Sequence, residues 1–184
     1  MDTLLYRWNV DARGSVVLFG GPAGAGKSTL ARAWCATRAQ AAHIELDEIR
    51  GLIIGGRADP QEPSDLQAAQ YGFSVEATCA VARAFARGGC DVAVDDVLEP
   101  DAFERYWRPQ LEGLPWKLIV VVPSLEETLR RSAVREKRVR EEHTRAQHER
   151  CSTWNEAVRI DTTDLDIDQS LALVIDRLRE PSAR

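Results

Sequence analysis

The sequence predicts a parallel α/β sheet covered by helices on both faces, and three observations carry that prediction. Short apolar runs alternate with longer stretches of helical period. Strands joined that way lie parallel, because parallel neighbours need crossover connections. The first run, Ser15–Gly20, is continuously apolar rather than alternating, which fits a strand buried on both faces. The length, 184 residues with 44% hydrophobic and 29% charged, suits one self-sufficient domain over 1–184. A chain of that size buries roughly 70% of its unfolded surface.

The first strand is Ser15–Gly20 (Ser-Val-Val-Leu-Phe-Gly), an apolar run stopped by glycine. A helix from Lys27 to about Ala39 carries Leu30, Ala33, Trp34 and Thr37 at helical spacing, and residues 42–46 read as the second strand. Residues 55–64, rich in Gly and Pro, read as a loop between a strand end and a long helix, where substrate loops and lids occur. From Asp65 to Arg87 the residues Leu66, Ala69, Phe73, Ala77, Ala80, Val81, Ala84 and Phe85 recur with a 3.6-residue period. They form the apolar stripe of one amphipathic helix, ended by Gly88-Gly89. Then follow a third strand (90–94), a helix (101–111), a fourth strand (117–122), and a helix capped by Ser124 with Glu127 three residues on. A short strand at 158–160 and a last helix over 167–178 close the chain.

The chemistry gathers at strand ends. Gly21-Pro22-Ala23-Gly24-Ala25-Gly26-Lys27-Ser28 satisfies G-x-x-x-x-G-K-[ST], directly after a buried strand and opening a helix. Glycines let the backbone wrap closely around phosphates, and successive N–H groups at a helix N-terminus bind the anion. Lys27 would add charge at the β/γ-phosphates, Ser28 would put its hydroxyl on Mg²⁺, and Thr29 would cap or contact phosphate. Val92-Ala93-Val94-Asp95-Asp96 ends an apolar strand in two carboxylates, the pattern of a Walker B acid. Asp95 is favoured for Mg²⁺ and Asp96 for the acceptor; the competing reading is that one of them caps the following turn. Asp47, after the second strand, suits the group that orients or deprotonates an acceptor hydroxyl, against plain capping of a helix start. Tyr71 and Phe73 either line an acceptor pocket or pack in the core.

Residues 130–150 hold eight basic side chains against four acids, a balance of +4 that leaves −9 for the rest of the −5 chain. Basic charge gathered after the fourth strand suits a small helical lid closing on a triphosphate. Arg131 and Arg135, four apart, are its best candidates, with Arg138 next; residues 140–150 fit a solvated mixed-charge helix.

Several classes are excluded or disfavoured. A pI near 5.3 opposes gripping a long nucleic acid. No apolar run approaches the ~20 residues of a membrane span, and the first residues lack a secretory pattern, so a cytoplasmic location is expected. Cys35, Cys79, Cys90 and Cys151 form no Cys-x-x-Cys and read as reduced thiols. His43, His143 and His148 read as structural or exposed, and the five tryptophans as mostly core. No guanine-reading Asn-Lys-x-Asp occurs, which leans towards ATP. No oligomeric state is assigned.

Phe19-Gly20 and the glycine loop through Ser28, the strand-end Asp47, Val94-Asp95-Asp96-Val97 and Ile160-Asp161-Thr162-Thr163 together resemble the small P-loop kinases, most closely the chloramphenicol phosphotransferase group. The stretch from Leu129-Arg130-Arg131 through Arg135, Arg138 and Val139 resembles the lid of zeta-toxin-like and polynucleotide-kinase-like proteins. The resemblance implies a three-layer P-loop NTPase fold with strand order 2-3-1-4-5, ATP with Mg²⁺, and Asp47 as the catalytic base. It implies the 160–163 turn beside the adenine. The reaction expected is γ-phosphate transfer to a hydroxyl of a small metabolite or antibiotic. The alternatives are a nucleoside or 5′-hydroxyl polynucleotide kinase, and a nucleotide-dependent switch or ATPase with a protein partner.

Overall fold

The computed structural model describes residues 13–134 and 139–180. Five strands, β1 (Val16–Gly20), β2 (Ala41–Glu45), β3 (Asp91–Asp95), β4 (Trp116–Val121) and β5 (Val158–Ile160), form one sheet. Every pairing is parallel and the order is β2-β3-β1-β4-β5, as the resemblance implied. Phe19 and Glu45 both pair in register with Asp95, so the carboxyl ends of the three adjacent strands come level.

The helices are α1 (Lys27–Ala36), α2 (Leu46–Gly51), α3 (Asp65–Arg87), α4 (Pro100–Ala102), α5 (Leu125–Ala133), α6 (Glu141–Ser152) and α7 (Ile167–Arg179). After α4 the chain continues helically as a π turn over Phe103–Trp107 and a 3-10 turn over Arg108–Leu111. Strand alternation sorts the core into two layers. Val16, Leu18, Val92 and Val94 face α3 and the Phe103–Leu111 segment, while Val17, Phe19 and Ala93 face α1 and α7. Among the described residues, no helix is long and apolar enough to cross a membrane.

Three sequence expectations need correction or refinement. Helix α1 ends at Ala36, not near Ala39, where Thr37 turns back onto the Trp34 carbonyl. Helix α3 has the expected bounds but the opposite facing. Leu66, Phe73, Val81 and Phe85 are exposed, and the buried face is Gln70, Ser74, Val75, Thr78, Cys79, Ala82 and Ala86. Small side chains sit inside because neighbours approach closely: a Cβ on Gly72 would lie 3.3 Å from the Tyr106 ring. Of stretch 130–150, residues 130–133 close α5 and residues 141–150 lie in α6, and Cys151 at the foot of α6 is buried in the core. Arg135 and Arg138, like Trp8, lie outside the described residues. The four cysteines are free, with Cys35 the least buried.

Candidate active site

The glycine loop runs from the end of β1 into α1, between β4 and α5. Gly21 has φ +130°, and a Cβ there would fall 2.2 Å from the Val121 carbonyl oxygen. Gly24 has φ +86°, and its Cβ would meet the Thr128 carbonyl at 2.6 Å. Both therefore have to be glycine on steric grounds as well as backbone angle. Lys27 is buried at 6% exposure, and its Nζ donates to the Pro22 carbonyl at 2.8 Å. A cavity of about 420 Å³ opens here, with Gly24, Gly26, Lys27, Ser28, Thr29 and Arg131 on its wall. Arg131 is held over it by Glu127 (2.6 Å) and the Thr162 carbonyl (3.3 Å), which brings the 160–163 turn to this side. Hydrogen bonds from Arg130 and Arg131 pull the Glu127 carboxyl down to about 2.

Asp95 is buried at the end of β3 on the α1 side. Ser28 Oγ donates to its Oδ1 at 3.1 Å, so the two expected metal residues do meet. His43 Nε2 lies 2.6 Å from the other oxygen, Oδ2, in hydrogen-bonding range. Glu45 is near enough for its carboxylate to join His43 and Asp95 around one ion; Arg32 also pairs with it. Hydroxyl and carboxylate oxygens are the ligands a hard cation such as Mg²⁺ takes, and an imidazole that fixes a ligating carboxylate is a common support. The sequence reading assigned His43 no role here. It sits two residues before Glu45, so strand alternation puts both on one face; the missing information was which strand lies next to β2.

Asp96 turns the other way, towards α3. Tyr71 O–H donates to its Oδ2 at 2.6 Å, and Trp107 Nε1–H donates to the Tyr71 oxygen at 3.0 Å. Burial pushes the Asp96 carboxyl up to about 6; the Tyr71 hydrogen bond opposes this, Asp47 adds repulsion, and Lys27 draws it back. The same burial and the Asp96 charge push the Tyr71 hydroxyl well above its ordinary value, so it stays protonated. Asp96 and Tyr71 line a second cavity of about 460 Å³ together with Asp47. Asp47 occupies the first turn of α2, whose N-cap position is Glu45. Phe73 is not on this wall. It is two residues from Tyr71, on the opposite side of α3, and half-exposed.

Residues 55–64 reach this cavity, with Arg57, Pro60 and Gln61 on the wall. The Gln70 side chain pins the loop, accepting from Ala58 N–H (2.9 Å) and donating to the Gly56 carbonyl (2.8 Å). Arg140 ties it to the start of α6 through Gln61 and Glu62. Gln147 of α6 lines the same cavity and accepts from Ala23 N–H of the glycine loop at 3.1 Å, linking the two sides. Arg50, His143 and Gln147 are wall residues that the sequence alone did not single out. A larger cavity, about 670 Å³, lies among strand beginnings at Val16 and Trp116. Open parallel sheets bind ligands at the opposite, carboxyl edge.

Residues 16–157 match the AAA domain family. The chain belongs to this family. Comparison with curated proteins finds no significant match. Solved structures similar to this AAA domain include a sugar kinase from Janibacter sp. HTCC2649 (14% identity, TM-score 0.66, 90% of this chain and 94% of that one). The tunicamycin resistance protein of Deinococcus radiodurans aligns at 18% identity with TM-score 0.65, over 94% and 99% of the two chains. Thymidylate kinase from Candida albicans aligns at 16% identity with TM-score 0.67, over 90% and 91%. At such identities the likeness establishes a shared fold, the one the small P-loop kinases use.

Proposed function

We propose that this AAA domain is an ATP- and Mg²⁺-dependent phosphotransferase that moves the γ-phosphate to a hydroxyl of a small molecule. The observation that carries the reading is the two-sided end of β3. A phosphate-binding loop with Lys27, Ser28 and Asp95 lies on one face, and a cavity with Asp47, Asp96 and Tyr71 lies on the other. Lys27 would leave the Pro22 carbonyl for the β- and γ-phosphates, while the loop N–H groups hold the chain of phosphates. Mg²⁺, held by Ser28 and Asp95, would supply charge neutralisation between those phosphates. Asp47 would accept the hydroxyl proton and Asp96 would orient the acceptor. Tyr71, locked as a donor, would keep Asp96 in place. Arg131, with Arg135 and Arg138 of the basic stretch, would meet charge on the transferring group.

Phosphoryl transfer is favoured over hydrolysis because a walled cavity beside the phosphates suits an acceptor larger than water. Structural likeness to sugar, nucleotide and drug-resistance proteins supports a small hydroxylated acceptor, an antibiotic among the candidates, and a cytoplasmic setting fits the use of ATP. The test is transfer of labelled γ-phosphate from ATP to a panel of sugars, nucleosides and antibiotics. With a confirmed acceptor, Asp47→Ala should lower transfer by about 10²–10⁴-fold. Full transfer by that variant would remove Asp47 from the role of base.

A further inference from the structure

His43, Glu45 and Asp95 offer one imidazole nitrogen and two carboxylate oxygens, all within 4.8 Å of one another. The sheet brings them together. Alternation along β2 puts His43 and Glu45 on one face, and Glu45 pairs in register with Asp95 of β3. That face is the α1 side, since Ala93, the register partner of His43, packs in the core layer under α1 and α7. Asp95 is buried, and its two oxygens meet different neighbours: Oδ1 lies 3.1 Å from Ser28 Oγ and Oδ2 lies 2.6 Å from His43 Nε2. Glu45 also stands on the wall of the glycine-loop cavity, so the cluster opens onto the space beside Lys27 and Ser28.

We propose that His43, Glu45 and Asp95 form a second cation site, distinct from that of Mg²⁺ and selective for a transition-series divalent ion of the Zn²⁺ and Co²⁺ class. The donor set carries the selectivity. Mg²⁺ takes oxygen ligands, whereas an imidazole nitrogen suits the later first-row ions. One nitrogen and two oxygens make a three-ligand set, which leaves a fourth tetrahedral position for water or a phosphate oxygen. Asp95 then bridges the two ions, Oδ1 with Ser28 towards Mg²⁺ and Oδ2 with His43 and Glu45 towards the second. To ligate, His43 Nε2 must present its lone pair, and the ring hydrogen moves to Nδ1 in the other neutral tautomer. Arg32 pairs with Glu45 in the ligand-free chain, and its side chain is 62% exposed. An ion pair that exposed is weak, so an entering divalent ion displaces the guanidinium into water. Binding of the metal alone needs neither ATP nor an acceptor, so its outcome is independent of the phosphotransferase reading.

The test titrates the nucleotide-free full chain, in excess Mg²⁺, with Co²⁺ and with Zn²⁺ by calorimetry, and follows Co²⁺ by its visible spectrum. Each metal should bind at about one ion per chain with a Kd at least about 100-fold below that for Mg²⁺. The Co²⁺ spectrum should show nitrogen and oxygen ligation without a thiolate band, which separates this site from the four cysteines. His43→Ala and Glu45→Gln each remove a ligand and should weaken Co²⁺ by at least about 10-fold. Arg32→Gln removes the competing cation and should tighten Co²⁺ by about 2–5-fold, a gain that a purely structural role of the cluster would not produce. Arg32 is exposed, so that variant tests the site without altering a buried residue. The site is overturned by Co²⁺ binding no tighter than Mg²⁺, by a thiolate band, by an affinity that His43→Ala or Glu45→Gln leaves unchanged, or by an Arg32→Gln chain that binds no tighter than wild type.

Discussion

The two sides of the end of β3 are built by different means. Asp95 and Asp96 are adjacent, and strand alternation sends the first towards α1 and the second towards α3. The side proposed for the nucleotide is built around one local stretch, the glycine loop and the first turn of α1 within residues 21–30, with Arg131 reaching over it from α5. The side proposed for the acceptor is mostly side chains, brought together from α2, the 55–64 loop, α3, the end of β3 and α6. The two sides also tune carboxylates in opposite directions. Arginines hold Glu127 down to about 2, whereas burial lifts Asp96 to about 6. Phosphates are the same in every nucleotide, so a fixed local loop serves them. An acceptor is specific to the enzyme, and its site is assembled by the tertiary fold.

Removing the nucleotide side should have the largest effect. Lys27→Ala deletes the one buried cation of the loop and should cut transfer by about 10³-fold or more, with nucleotide binding weakened. The fold should survive, because the Lys27 side chain lies on the wall of an open cavity and belongs to neither hydrophobic core cluster. Circular dichroism and Tm would verify that. Unchanged turnover would mean that the loop is not the phosphate site, and the comparison of the two sides would collapse.

The same division explains what was legible in the sequence. The sheet was legible because short, largely apolar runs such as Val16–Gly20 and Trp116–Val121 alternate with helical stretches, and the P-loop because its atoms are consecutive. That Asp95 and Asp96 face opposite sides follows from the period-2 alternation of a strand. Arg50, His143 and Gln147 were not legible, since each is an ordinary helical residue until the fold brings α2 and α6 around one cavity. His43 needed the pairing of β2 with β3. The facing of α3 misled for a physical reason: its inner side is narrow, so small and hydroxyl-bearing residues pack there while Leu66, Phe73 and Phe85 remain outside. Hydrophobicity alone does not register that constraint.

A smaller effect on the acceptor side should appear in stability against pH. The Asp96 carboxyl has an ordinary value of 3.8 and is raised to about 6 in the folded protein. Below 3.8 both folded and unfolded chains hold the proton, and there is no penalty. As pH rises through 6 the folded chain is forced to carry the ionised form, which disfavours folding by at most about 3 kcal/mol. Asp96→Asn keeps an acceptor for the Tyr71 hydroxyl and removes the charge. It should therefore raise Tm at pH 7–8 by several degrees and leave it unchanged near pH 4. It should also raise KM for the acceptor while Mg²⁺ dependence stays put. A stabilisation that is the same at both pH values would mean that Asp96 titration is not its source.

The most modest change tests whether the comparison extends to metal support. His43 Nε2 and Ser28 Oγ approach different oxygens of Asp95, at 2.6 and 3.1 Å. If the imidazole fixes that carboxylate as a ligand, His43→Ala should raise the Mg²⁺ concentration for half-maximal activity by about 10–100-fold. The acceptor KM should not move, the reverse of the Asp96→Asn pattern. His43→Gln, which retains an N–H donor, should recover part of the loss. The logic is positional: strand alternation sends Asp95 towards α1, and from the β2 side His43 fixes one of its oxygens while Ser28 meets the other. A shift in acceptor KM with unaltered Mg²⁺ dependence would assign His43 to the other side of the strand and erase the division at its most sensitive point.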